Sequence, residues 1–123
     1  MKFTIPIAPK TKKNHQRIAR RKDGSPFVLP SKEAMHYAKA AAEYLYPRPE
    51  EPINYPVEVR CLFYMPTRRR VDLTNLLEGI DDVLVTASIL DDDNSSIIAS
   101  HDGSRVLYDK ENPRTEVEII PMV

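Results

Sequence analysis

The stretch from Leu73 to Ala87 constrains the fold more than any other part of this chain. Leu73, Leu76, Leu77, Ile80, Val83, Leu84 and Ala87 fall at i, i+3, i+4, i+7, i+10, i+11 and i+14, an apolar stripe with no break. Only an α-helix brings those positions to one face, and such a stripe has to be buried against another layer. Just before it, Val57, Val59, Cys61, Phe63 and Met65 alternate with Glu58, Arg60 and others, a strand pattern that ends at Pro66. Ser95 to Ser100 reads as a strand after it. A strand, a helix and a strand in succession place the helix on the face of a sheet.

The remaining segments extend this frame. Lys2 to Ala8 alternates as a first strand, with Phe3, Ile5 and Ile7 on one face. Arg17 to Arg21 and Pro26 to Leu29 flank Asp23-Gly24 and predict a hairpin whose basic side chains project outward. Ser31 is placed to cap a helix carrying Ala34, Met35, Ala38, Ala41, Ala42 and Leu45, which Pro47 stops. Four prolines between Pro47 and Pro56 mark a loop. Thr74 is placed to cap the second helix, with Asp72 just before it, where the helix dipole favours a carboxylate. Asp102-Gly103 predicts a turn from the Ser95–Ser100 strand into a weaker one at Arg105 to Tyr108, and Thr115 to Ile120 is the last strand. The expectation is one domain over residues 1–123 of the α/β (α+β) class, a single mixed β-sheet with two main helices packed against it.

Several function classes drop out. No apolar run approaches the roughly 18 residues that span a bilayer, and the apolar stretch at the start is too short for a signal peptide, so a cytoplasmic location and no membrane partner are expected. Cys61 is the single cysteine and sits mid-strand, where a small buried hydrophobe is expected. His15, His36 and His101 are scattered without zinc-ligand spacing and read as satisfied surface or core histidines. There is no P-loop, no Gly-x-Gly-x-x-Gly and no Gly-x-Ser-x-Gly.

The charge is sorted rather than excessive. The formal net charge is zero, yet seven of eighteen basic residues lie between Lys10 and Lys22 with no acid among them. Lys10, Lys12, Lys13 and Asn14, with Arg17, Arg20 and Arg21, form a candidate DNA-binding arm. Arg68, Arg69 and Arg70 stand immediately before Asp72, and Asp91, Asp92 and Asp93 follow about one helix later. Cations hold a phosphodiester backbone, and carboxylates hold the hard divalent ion that activates a water against it. Asn75, Glu78 and Asp82 line up at i, i+3 and i+7 on a second helix face, close to Asp72. The competing reading of the acids is a helix cap at Asp72 and a solvated turn at Asp91 to Asp93.

These motifs resemble the RusA-like Holliday-junction resolvases, small endonucleases often carried by phages and prophages. The resemblance covers Pro9-Lys10-Thr11-Lys12-Lys13-Asn14, the strand Val57 to Met65, the run Pro66-Thr67-Arg68-Arg69-Arg70-Val71-Asp72-Leu73-Thr74-Asn75-Leu76, and Asp92-Asp93 one helix later. It implies a RusA-like fold, a homodimer, Mg²⁺ or Mn²⁺, and paired symmetric nicks in branched DNA during recombination and repair. By position, Asp72 and Asp93 match two catalytic carboxylates, with Asp92 a neighbour whose register the extra Asp91 blurs. Two positions depart from the family pattern: Thr74 stands where a second Asp is expected, and Glu78 where a Lys is expected. Asp72, Asp93 and either Glu78 or Asp82 are then the expected metal ligands, with Asp92 beside them. Lys12 or Lys13 is the candidate replacement for the lost lysine, and Asn75 joins the DNA-facing set. The alternatives are a non-catalytic binder of branched DNA that has lost its metal site, and a structural protein that binds no nucleic acid.

Overall fold

The computed structural model describes residues 1–11, 17–29 and 31–122. Along the chain run β1 (Lys2–Ile5), β2 (Arg17–Arg20), β3 (Pro26–Leu29), α1 (Lys32–Ala42), β4 (Val57–Met65), α2 (Leu73–Thr86), β5 (Ile98–Ser100), β6 (Arg105–Tyr108) and β7 (Arg114–Pro121). The main sheet has the order β1-β7-β4-β5, with β6 also on β4. It is mixed: β1 and β7 pair antiparallel, as do β7 and β4, whereas β5 and β6 both run parallel to β4. Strands β2 and β3 form a separate two-stranded ribbon. The class is therefore the expected mixed α+β one, a main sheet with two helices and an added ribbon.

The alternation in β4 decides which way the sheet faces. Val57, Val59, Cys61 and Phe63 are buried, while Glu58, Arg60, Leu62 and Tyr64 are half-exposed on the opposite side. The buried face meets Ile5, Val117 and Ile119 from neighbouring strands and Leu76, Ile80, Val83 and Leu84 of α2 in one core. Tyr37 and Ala41 of α1 join it. Burial of this much apolar surface, at roughly 25 cal/mol per Å², is the term that holds the layers together. The other face of the sheet carries ion pairs instead. Arg60 reaches Glu58 at 2.8 Å and Glu118 at 3.5 Å, and Arg114 reaches Asp109 and Glu116 at 2.8 Å each.

Two helix ends explain their own residues. Ser31 caps α1 as expected, its Oγ accepting from the Ala34 N–H at 3.0 Å. The helix stops at Ala42, so Leu45 is buried in the core from beyond its end. Arg48 then reaches back, donating to the Ala42 carbonyl at 2.8 Å and the Leu45 carbonyl at 3.0 Å. A guanidinium at that position satisfies carbonyls the helix leaves open and matches the sign of the helix dipole.

The turn at Asp102-Gly103 is present, but it does not make a hairpin. β5 pairs with Val57 and Glu58 of β4, and β6 with Leu62 to Met65, so both are pieces of one interrupted edge strand. The interruption leaves β4 backbone groups to be satisfied by side chains. His101 Nδ1 lies 2.8 Å from the Val59 carbonyl, and the Cys61 N–H donates to Ser104 Oγ at 3.0 Å. Gly103 makes the step possible: its φ is +81°, and a Cβ there would meet Arg60 Nε at 2.6 Å.

His101 also ties this edge to α2, since its Nε2 lies 2.9 Å from Asp81 Oδ2. The Val59 carbonyl can only accept, so Nδ1 carries a proton, and Nε2 donates to Asp81 when the ring is charged. Burial alone lowers the imidazole pKa, but the bond to Asp81, its charge and the Val59 carbonyl together raise it above the ordinary value. Its charged form therefore contributes stability that is fully present below the ordinary imidazole pKa and lost as pH rises through the raised folded value. His101→Ala strands the Asp81 carboxylate and should lower the free energy of unfolding by about 1–3 kcal/mol. Urea titrations should show the loss largest below about pH 6 and smaller near about pH 9.

Candidate nucleic-acid interface and acidic sites

The βαβ connection sets where the carboxylates stand. Because β4 and β5 are parallel, α2 runs back along the sheet, and its two ends lie at opposite ends of β4. Asp72 caps the first end. Its Oδ1 accepts from the Thr74 N–H at 2.9 Å, with its own backbone extended at φ −90° and ψ 116°. The cap is thus Asp72 rather than Thr74, in line with the stronger preference of that position for aspartate. Capping engages Oδ1, and the side chain is exposed.

The other acids gather toward the far end. The Asp93 N–H donates to Asp92 Oδ1 at 2.7 Å, and Asn94 Nδ2 donates to Asp92 Oδ2 at 3.1 Å. The hydrogen bonds from Asp93 hold Asp92 below the ordinary carboxylate range. Asp93 is pushed above it, first by its hydrogen bond to Asp92, then by burial and the Asp92 charge, with Asp82 adding a further repulsion. Asp82 therefore belongs electrostatically with Asp93. It also lines a cavity of about 520 Å³ between α1 and α2, together with Lys10, Lys39 and Arg48. Such a cluster is one whose mutual repulsion a divalent cation would relieve.

Asp72 does not join that cluster within one chain. Asp72 and Asp82 are ten positions apart. At about 1.5 Å of rise per residue the separation along the helix is roughly 15 Å, several times the spacing of two ligands on one Mg²⁺. Glu78 is exposed between them, about 9 Å of rise from Asp72. Among the described residues, no three acidic, histidine or cysteine side chains come together as a metal site. Alignment of Asn75, Glu78 and Asp82 along the sequence thus did not translate into proximity of Asp82 to Asp72.

The basic residues fall into three groups. Arg68, Arg69 and Arg70 are exposed at the Asp72 end, and Arg68 stacks over Tyr108 with its guanidinium carbon 4.1 Å from the ring centre. Arg69 is held through its backbone, whose N–H donates to Thr67 Oγ1 at 3.4 Å. Lys10 is exposed at the groove between the helices. Arg20 and Arg21 lie on the ribbon, where Arg20 donates to the Gly24 carbonyl at 3.0 Å and Arg21 stacks over Phe27 at 5.0 Å. Lys12, Lys13 and Asn14, and the side chain of Arg17, lie outside the described residues. Asn75 is half-buried in the first turn of α2.

Three features were not anticipated from the sequence: the Asp81–His101 bond, the groove between α1 and α2, and the apolar outer face of the ribbon. Asp81 carried a signal, because it falls among Leu77, Ile80 and Leu84 on the apolar side of the helix and is buried. A carboxylate in such a stripe needs a partner. The groove depends on how two helices sit side by side, which periodicity does not record.

The cap separates two roles of Asp72. Asp72→Ala should cost about 1 kcal/mol of stability, and Asp72→Asn only a few tenths, because an amide oxygen still caps. Thermal unfolding of the two variants checks this, and only the amide variant is then suited to asking what the charge does.

The chain matches the family model described as endodeoxyribonuclease RusA over residues 6–120. No curated protein sequence matches it. Among the described residues no helix is long and apolar enough to cross a membrane. With the match running across nearly the whole chain, this protein belongs to the RusA endodeoxyribonuclease family.

Proposed function

We propose that this protein is a divalent-metal-dependent endonuclease that resolves four-way DNA junctions, acting as a homodimer in DNA recombination and repair. The observation that carries the reading is the acidic cluster at the far end of α2, in a chain of the RusA family. Asp93, raised by its neighbours Asp92 and Asp82, is a carboxylate whose ionised form a cation would stabilise. The donor set is hard oxygen throughout and suits Mg²⁺ or Mn²⁺.

Asp93 and Asp92 would contribute oxygens to the ion, with Asp82 close enough to act on Asp93 and Glu78 on the exposed face of α2; one chain alone does not complete the ligand set. When bound, the cation supplies Lewis-acid polarisation of the scissile phosphate and a more acidic water. The protein's own part is positioning. Arg68 to Arg70 at the Asp72 end, Lys10 at the groove between the helices and the ribbon cations would hold the backbone, so binding should weaken steeply with salt.

The separation of Asp72 from Asp93 supports a dimer in the same argument. A four-way junction has two-fold symmetry, and a two-fold homodimer answers it with two equal sites. If the α2 helices of two protomers lie antiparallel, the partner's Asp72 stands beside the acidic cluster of the first, and one site receives both kinds of carboxylate. Thr74 and Glu78 favour a second reading, a junction binder without catalysis, because neither supplies what the family pattern has at those positions.

The test is nicking of a labelled four-way junction beside a linear duplex, with Mg²⁺ and with EDTA. Symmetric cuts confined to the junction and lost in EDTA are expected, and Asp93→Asn should slow them by about 10²-fold or more. Tight binding without cutting would assign the non-catalytic reading, and no binding of branched DNA at low salt would exclude both.

A further inference from the structure

The ribbon turns an unexpected face to solvent. In its register Ile18 lies opposite Val28 and Arg20 opposite Pro26, so these four side chains share one face. Ile18 is 75% exposed and Val28 61% exposed, a contiguous pair of β-branched side chains with no layer of the described residues over them. The other face carries Ala19, Phe27 and Leu29, which are half-buried. Cations border the pair on its turn side. Arg20, on the same face, is held toward the turn by Gly24, and exposed Lys22 stands at the tip, while Arg21 turns to the opposite face over Phe27. Asp23, the single acid of the ribbon, accepts from the Ser25 N–H at 2.8 Å and its hydroxyl at 2.6 Å, which fixes the turn.

An apolar pair framed by cations narrows its partner. A second copy of the ribbon packed on this face would bring Arg20 and Lys22 of both chains together, with like charges repelling. DNA satisfies both features, phosphates taking the cations and base faces taking the apolar side chains. In continuous duplex those faces are already stacked, and opening them is costly. At a branch point the stack is interrupted, so apolar side chains can enter at little cost.

We propose that Ile18 and Val28 form an apolar wedge that inserts against base pairs at the branch point, while Arg20 and Lys22 beside them grip the flanking phosphates. The wedge rests on the branched-DNA reading above and supplies the preference of the site for branched over continuous DNA. It also assigns the ribbon a part beyond that of a basic arm.

The test uses a synthetic four-way junction carrying 2-aminopurine beside the branch point, a duplex with the same label, and the full chain in EDTA. Binding of the junction should raise the fluorescence several-fold as the labelled base loses its neighbour, and the duplex signal should stay flat. Ile18→Ala with Val28→Ala should abolish the rise and cut the preference for junction over duplex by about tenfold, the scale of one lost base contact. Unfolding midpoint, oligomeric state and salt dependence should not change, and Ile18→Leu with Val28→Leu should keep the rise. A junction that binds with flat fluorescence, or a double alanine variant that keeps both rise and preference, would overturn the wedge and leave the endonuclease reading standing. A double alanine variant that dissociates the protein would assign the face to a second copy instead. Failure of the wild-type chain to bind any junction would remove the wedge together with the function it rests on.

Discussion

The parallel pairing of β4 with the interrupted edge β5 and β6 is the constraint on which the rest of this molecule depends. A parallel partner requires a crossover, and here the crossover is α2. Its apolar stripe closes the core over Val57, Val59, Cys61 and Phe63. Its length separates the two groups of acids, Asp72 at one end with the arginines and Asp82, Asp92 and Asp93 toward the other. One hydrophobic solution thus fixes both the fold and the distribution of chemistry over its surface.

The edge itself is built economically. Where β5 stops and β6 has not begun, His101 and Ser104 take the place of backbone partners for Val59 and Cys61, and His101 then binds Asp81 on the helix. A polar link between sheet and helix sits next to Asp82, which acts on Asp93. Cys61 lies beside this link as an inert group, its thiol pushed up by burial and by the nearby Asp81 charge.

Much of the fold was legible because each main element has a strong period. The bounds of β4 and α2 agree with the alternation from Val57 and the stripe from Leu73, as Ser31 agrees with its capping role. What failed to show was the relation between elements. The Asp102-Gly103 turn is legible locally, whereas the alignment of β5 and β6 end to end along the same edge of β4 is a long-range matter. The same limit affects the site. Asn75, Glu78 and Asp82 were correctly aligned along one side of a helix, but rise along the axis carries Asp82 away from Asp72 and toward Asp93. On the ribbon, the basic composition indicated outward cations, and Arg20, Arg21 and Lys22 are exposed, but it gave no sign that the register sends Ile18 and Val28 outward beside Arg20.

The central claim is that the separated acids work as one site only through a two-fold partner. Mixed dimers of Asp72→Asn and Asp93→Asn chains test it most directly. In such a dimer one site gathers both substitutions and the other gathers none, so nicking of one strand of the junction should reappear although each variant alone is inactive. Mixed dimers whose presence is verified by mass, yet which make no nick, would contradict the account.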